Sequence, residues 1–146
     1  MKSIRALGGM PVVCEETGKK IGRVKGAFVD EGLAGLTGLT VCSGFGRNAF
    51  YPKESISLLG TRAVVVSGGK SAKERGKAFS IRRAVNVSGE MIGAVTNAYL
   101  GEETLKIECL EISRDIFSDI ARGRRIHRRF TVNGETGECV IFEERE

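Results

Sequence analysis

The chain has no long apolar run. Within its 146 residues, no stretch approaches the roughly 20 apolar residues that a membrane-spanning helix needs. Lys2 and Arg5 lie near the N-terminus, but Gly8 and Gly9 follow before any apolar segment typical of a signal peptide. We therefore expect a cytoplasmic protein without a membrane span.

The chain also has few residues that bind metals. Its cysteines are widely separated and form no Cys-x-x-Cys pair; they are Cys14, Cys42, Cys109 and Cys139. Zinc sites usually contain closely spaced ligand pairs, so we expect no metal site. In a reduced cytoplasm these residues are expected to be small buried or half-buried apolar side chains. A disulfide between distant cysteines remains an alternative.

Groups that would support catalysis are equally scarce. His127 is the single histidine, and no candidate nucleophile lies near it in the sequence. Acids occur as neighbours, such as Glu102 and Glu103, but adjacent residues of a strand point to opposite faces. Paired carboxylates for acid–base chemistry are therefore not indicated. We expect no enzyme activity and no cofactor.

What the chain does contain is an internal repeat. Residues 18–24 read Gly-Lys-Lys-Ile-Gly-Arg-Val, and residues 89–95, 71 positions later, read Gly-Glu-Met-Ile-Gly-Ala-Val. The match continues without a gap to Val41 in the first copy and Ile112 in the second. This similarity predicts a duplicated unit of about 70 residues.

Four residues of the repeat are expected to have structural roles. We predict that Ile21 and Ile92 occupy equivalent buried positions. Gly22 and Gly93 lie inside predicted strands, where a glycine marks a bulge, a bend or a close approach of two backbones. A small barrel needs such bends in order to close.

Short apolar segments separated by turns predict a mainly β fold. In the first copy we expect strands near residues 10–14, 20–29, 36–42, 49–51 and 63–66. In the second copy we expect strands at residues 91–100, 105–112, 130–132 and 139–142. Between them, residues 113–121 predict a short helix with Ser113 as its N-cap and Gly123 beyond its end.

Charge and composition divide the chain into three parts. Residues 1–68 form a first unit with net charge +4, and residues 69–77 form a basic, flexible Gly/Ser linker with net charge +3. Residues 78–146 form a second unit with net charge −2. Because the two copies differ in surface charge, we expect them to differ in function.

The repeated Gly-x-x-Ile-Gly-x-Val motif precedes an apolar strand, then Phe50-Tyr51-Pro52 and a closing run of valines. This order resembles the PRC-barrel family, over about residues 3–68 and again over 78–146. The second copy lacks the aromatic-proline turn. The resemblance implies two tandem small β-barrels related by internal duplication, with a short helix in the second copy. It also implies a non-enzymatic module that docks on proteins or on ribonucleoprotein, and it supplies no catalytic residues.

One basic run is the candidate for partner binding. It comprises Arg122, Arg124, Arg125, His127, Arg128 and Arg129. Arginine guanidinium groups form paired hydrogen bonds with carboxylates and phosphates. We expect an adaptor that docks on a protein partner or on itself, with an RNA- or ribosome-associated factor as the alternative. A third interpretation is that these arginines pair with acids of their own half, such as Glu102, Glu103, Glu108 and Glu111.

Overall fold

The computed structural model describes residues 1–44, 46–114 and 125–142. The protein is mainly β, with two sheets that each curl into a half-barrel. A two-residue strand, β1 (Lys2–Ser3), opens the chain and leads into one helical turn, α1 (Ile4–Leu7). Among the described residues, no helix is long and apolar enough to cross a membrane.

The first sheet has seven strands. They are β2 (Pro11–Cys14), β3 (Lys20–Val29), β4 (Leu36–Ser43), β5 (Arg47–Pro52), β6 (Ile56–Leu59), β7 (Val64–Val66) and β8 (Lys77–Ala78). The spatial order is β5-β4-β3-β2-β7-β6, with β8 beside the end of β3. Strands β2 and β7 run parallel, whereas the other neighbours are antiparallel. A 3-10 turn, Lys53–Ser55, connects the two edge strands β5 and β6.

The second sheet has the same arrangement. Its later strands are β9 (Arg82–Val85), β10 (Met91–Leu100), β11 (Ile107–Ser113), β12 (Arg125–His127), β13 (Phe130–Val132) and β14 (Cys139–Ile141). Their order is β12-β11-β10-β9-β14-β13, and β9 and β14 are the parallel pair. Each strand therefore occupies the position that its counterpart occupies in the first sheet.

The long central hairpins of the two sheets share one register. In the first, the paired residues run from Arg23 opposite Cys42 to Val29 opposite Leu36. Every pair of this ladder has a counterpart 71 residues later in the ladder of β10 and β11. The register shifts also fall at matching positions. The repeated sequence therefore forms the same local structure twice.

The loops before β4 and β11 join the two halves by reciprocal hydrogen bonds. The Leu36 N–H donates to the Leu105 carbonyl at 2.9 Å, and the Ile107 N–H donates to the Ala34 carbonyl at 2.9 Å. Between them, Gly35 forms an antiparallel bridge with its counterpart 71 positions later. Equivalent atoms of the two halves thus contact each other in the manner of a two-fold axis.

The segment that leads into each half pairs with the sheet of the other half. Strand β1 precedes β2, but its Ser3 pairs with Tyr99 of β10 in the second sheet. Strand β8 precedes β9, but its Ala78 pairs with Phe28 of β3 in the first sheet. Buried side chains from both sheets form one continuous hydrophobic cluster. The two halves therefore share strands as well as a core.

The predicted linker lies along the first sheet. The Ser71 N–H donates to the Phe50 carbonyl at 2.7 Å, next to the outer edge of β5. The Thr37 hydroxyl donates to the Arg75 carbonyl at 2.6 Å. The Arg75 guanidinium in turn donates to both carboxylate oxygens of Glu54 at 3.0 and 2.8 Å. These contacts hold the segment beside the edge of β5 and the start of β4.

The two isoleucines of the repeat are half-buried, so the expectation that they are buried is wrong. A register shift skips Ile21 between β2 and β3, and another skips Ile92 between β9 and β10. Each isoleucine is the extra residue of a bulge and contacts the core only at its margin. The next residue is Gly22 or Gly93, where a Cβ would lie 2.5 Å from a carbonyl oxygen of the neighbouring strand.

All four cysteines lie within the described residues and are free thiols, as expected. Cys109 and Cys139 are buried, and Cys14 and Cys42 are half-buried. Burial raises the pKa of the Cys139 thiol to about 11 and also raises the pKa of Cys109. These thiols therefore stay protonated and unreactive at neutral pH.

Candidate docking site at the basic end of the second sheet

The described part of the arginine run forms one edge of the second sheet. Arg125 and His127 belong to β12, and Arg128 and Arg129 form the turn into β13. Arg122 and Arg124 lie outside the described residues, as do residues 115–121 of the predicted helix. Ser113, the expected helix cap, is the last residue of β11.

The alternation of side chains along β12 places two basic residues on one face. Arg125 pairs with Ile112 of β11, and His127 pairs with Leu110. Both partners are buried core residues, so this face of β12 is turned toward the inside of the half-barrel. Ile126 lies on the opposite face and is exposed.

A cavity of about 90 Å³ opens at this end of the second half-barrel. Its apolar lining consists of Ile92, Ile112 and Ile141. Its polar lining consists of Asn86, Arg114, Arg125 and His127. Because Ile112 and Ile141 are buried while Arg114 and Arg125 are exposed, the cavity has an apolar floor and a basic rim.

The arginines of the rim have no acidic partner among the described residues. No ion pair joins Arg114 or Arg125 to a carboxylate in the ranges 1–44, 46–114 and 125–142. Of the acids proposed as partners, Glu102 pairs with the terminal amino group of Met1 at 3.2 Å. The described structure therefore gives no support to neutralisation of these arginines by the acids of their own half.

Asn86 presents a hydrogen-bond donor at the same rim. Its side-chain oxygen accepts from the N–H groups of Ser88 and Glu90 at 3.0 and 2.9 Å. These two hydrogen bonds hold the amide in the turn between β9 and β10, and they occupy its oxygen. The NH₂ group of the amide remains as the donor for a ligand.

The other arginines of the run are placed differently. The Arg129 guanidinium carbon lies 5.9 Å from the centroid of the Phe142 ring, a cation–π contact. The Arg129 carbonyl accepts from the Phe142 N–H at 3.1 Å. Arg129 therefore helps to close the β13–β14 hairpin, and Arg128 is exposed in the preceding turn. Neither residue lines the cavity.

The corresponding end of the first sheet has different chemistry. By the shared register, Ala49 stands in place of Arg125, because Ala49 pairs with the counterpart of Ile112. Cys14 stands in place of Asn86, because its N–H donates to the Lys19 carbonyl across the turn after β2, just as the Asn86 N–H donates to the Glu90 carbonyl across the turn after β9. One half thus ends in a basic rim, whereas the other has an alanine and a cysteine at the matching positions.

The sequence predicted Arg125 and His127 as binding residues, but it did not predict Arg114 or Asn86. Arg114 and Asn86 lie outside the arginine run, so composition gave no signal for them. A signal did exist for Arg114 within the repeat, because the uncharged Ser43 occupies the matching position of the first copy. Arg114 is therefore a difference in charge between matched positions of the two sheets.

The described residues contain neither a metal centre nor an exposed aromatic surface. No group of three or more His, Cys, Asp and Glu residues among them is placed to hold a metal ion. Every aromatic side chain whose burial is described is buried or half-buried. Single-stranded nucleic acids usually stack their bases on exposed aromatic rings, so the basic rim is not accompanied by the usual features of such a site.

Comparisons with known proteins add no family. A scan against protein-family models finds no match to this chain, and a search of curated proteins finds none. The resemblance to the PRC-barrel family, which rests on the glycine–isoleucine motif and the Phe50-Tyr51-Pro52 turn, therefore remains a prediction.

Proposed function

We propose that the protein is a non-catalytic docking module whose second half-barrel binds an acidic segment of a protein partner. The observation that carries this proposal is the cavity in which Arg114 and Arg125 surround a floor of three isoleucines. Arginine pairs with carboxylates through two parallel hydrogen bonds, which are stronger than neutral ones. A ligand over the isoleucine floor would bury apolar surface and shield those bonds from water.

We further propose that the two halves are small PRC-like barrels related by duplication of one unit. The shared strand order, the common register and the reciprocal hydrogen bonds at Gly35 support this proposal. In such a duplicated pair, the sequence of one copy can change while the other copy preserves the fold. The basic rim of the second copy is where the two differ in charge.

RNA binding is the alternative, because arginines also bind phosphates. The basic segment before β8 adds little support to RNA binding, since its Arg75 is already paired with Glu54. No exposed aromatic ring lies within the described residues, which favours a protein partner over a single-stranded RNA. A partner protein is therefore proposed, and RNA is an outcome of the test.

The test is affinity capture from nuclease-treated lysate with matched charge variants. The double variant Arg114→Gln/Arg125→Gln removes the charge of the rim. The control variant Arg47→Gln/Arg62→Gln removes the same charge from exposed positions of the first half. We expect wild type and control to retain a common protein partner and the rim variant to lose it.

Two results would contradict the proposal. Equal retention of the partner by the rim variant would show that the cavity is not the docking site. Loss of every captured protein on nuclease treatment would show that capture is mediated by RNA. In that case, binding of purified RNA should weaken steeply with salt, as expected when arginines displace counterions from phosphates.

A further inference from the structure

From the size and lining of the cavity, we infer that it binds the C-terminal carboxylate of a partner chain that ends in an aliphatic residue. This inference rests on the proposed docking function and names its ligand. It follows from three properties of the site: its volume, the distribution of apolar and cationic groups, and the donor supplied by Asn86.

The volume restricts what the floor can accept. A cavity of about 150 Å³ lined by leucine, isoleucine and phenylalanine holds one benzene molecule. The cavity here is about 90 Å³, which suits a single aliphatic side chain and excludes an aromatic ring. Its three isoleucines supply no hydrogen bonds from their side chains, so the group that enters must be apolar.

The rim requires an anion directly beside that apolar group. In the interior of an extended peptide, neighbouring side chains point to opposite faces, so an acidic residue next to a valine directs its carboxylate away from it. At a C-terminus, the aliphatic side chain and the carboxylate leave the same Cα. Only that arrangement lets one residue place its side chain on Ile112 and Ile141 and its charge at Arg114 and Arg125.

Asn86 completes the polar contacts such an end would make. Its NH₂ donates, and its oxygen is already bonded to the turn. A carboxylate accepts hydrogen bonds at both oxygens, so two guanidinium groups and an amide donor match its capacity. The first half has Ala49 and Cys14 at the corresponding positions, and these residues supply neither a guanidinium group nor an amide donor. One site per chain is therefore expected.

The inference is tested by fluorescence anisotropy with labelled synthetic peptides and the full chain. The probe ends in valine with a free carboxylate, and the comparison peptide has the same sequence with a C-terminal amide. We expect the amide to bind at least about tenfold more weakly, since it lacks the charge that the rim recognises. A peptide that ends in phenylalanine should also bind more weakly than the valine peptide.

Variants connect the binding to the cavity. Arg125→Ala places at the rim an alanine, the residue found at this register in the first sheet. This variant should bind the valine peptide about tenfold or more weakly than wild type does. Arg47→Ala, an equal loss of charge at an exposed position, should leave binding unchanged. The carboxylate-to-amide comparison needs no variant, so it remains decisive if Arg125→Ala fails to fold.

Failure of this inference is distinguishable from failure of the proposed function. Equal binding of the carboxylate and the amide, or of the valine and phenylalanine ends, would overturn the inference. If an amidated peptide with internal acids binds and loses affinity in Arg125→Ala, docking of acidic segments stands and the C-terminal ligand is wrong. If no peptide binds, the inference is also overturned, and the capture experiment alone decides the docking function.

Discussion

Replacement of Gly22 or Gly93 by alanine tests why these strands contain glycines. A Cβ at Gly22 would lie 2.5 Å from the Cys42 carbonyl oxygen and 2.9 Å from a methyl group of Val41. A Cβ at Gly93 would lie 2.5 Å from the Ser113 carbonyl oxygen. Both obstacles are backbone atoms of a paired strand, so relief of the overlap requires the strands to separate.

The expected cost follows from these contacts. Forcing a methyl group into a filled space typically costs about 1–3 kcal/mol, which is our expectation for Gly22→Ala. Gly93 also has a φ of +153°, a conformation that side chains with a Cβ rarely adopt. Such backbone strain costs about 1–3 kcal/mol, so Gly93→Ala should cost about 2–6 kcal/mol in total.

The same strand supplies the control. A Cβ at Gly26 would have no atom within 4 Å, and the backbone there has no positive φ. At such a position, glycine to alanine usually stabilises by about 0.4–1 kcal/mol, because the unfolded chain loses entropy. Gly26→Ala should therefore be neutral or stabilising, although it lies four residues from Gly22.

Urea unfolding measures the difference. The midpoint should fall for Gly22→Ala and Gly93→Ala and should stay or rise for Gly26→Ala, with an unchanged denaturant slope. If Gly22→Ala and Gly26→Ala differ by less than about 0.5 kcal/mol, the size of an ordinary surface change, close backbone approach does not explain Gly22. The presence of glycine beside this bulge would then need another explanation.

Two further predictions concern the core and the buried thiols. Leu110→Ala removes a fully buried side chain and should cost about 2–5 kcal/mol, whereas Ile92→Ala should cost less because Ile92 is half-buried; equal losses in urea unfolding would contradict the burial described. The folded pKa of Cys139 is about 11 against an ordinary value of 9.0, so the unfolded thiol ionises first and stability should fall as the pH rises from about 9 to 11. The stability of Cys139→Ala should fall less over this pH range than that of the wild type. Parallel curves of stability against pH for the two proteins would refute the raised pKa of Cys139.

The sequence predicted the long strands well because their side chains are constrained at every position. The predicted ranges 20–29 and 91–100 coincide with β3 and β10. Their glycines and apolar residues repeat with one spacing, and both strands are central in their sheets. Local pattern and tertiary environment therefore agree in these strands.

The short strands could not be predicted in the same way. Strands β1 and β8 contain two residues each, too few for any alternation, and their partners lie in the other half. Strand β12 reads Arg-Ile-His, which favours no secondary structure by itself. It is a strand because β11 offers it an edge, so tertiary contacts decided its conformation.

The candidate site was predictable only in part, for a related reason. Arg125 and His127 lie in a conspicuous basic run. Arg114 and Asn86 join them only because β9 and β11 end, and β10 and β12 begin, at the same end of the half-barrel. That juxtaposition follows from sheet order, which a linear pattern does not contain.

The reciprocal pairing of β1 and β8 has a consequence for synthesis on the ribosome. Ser3 emerges before the rest of the first half, yet its partner Tyr99 is made 96 residues later. At about 5–20 residues per second, the first strand waits roughly 5–20 s before it has a place to pair. The first sheet likewise remains incomplete until Ala78 arrives. The N-terminal half therefore cannot complete its folding until part of the C-terminal half has been synthesised. The chain must fold as one unit, although its sequence contains two copies of one repeat.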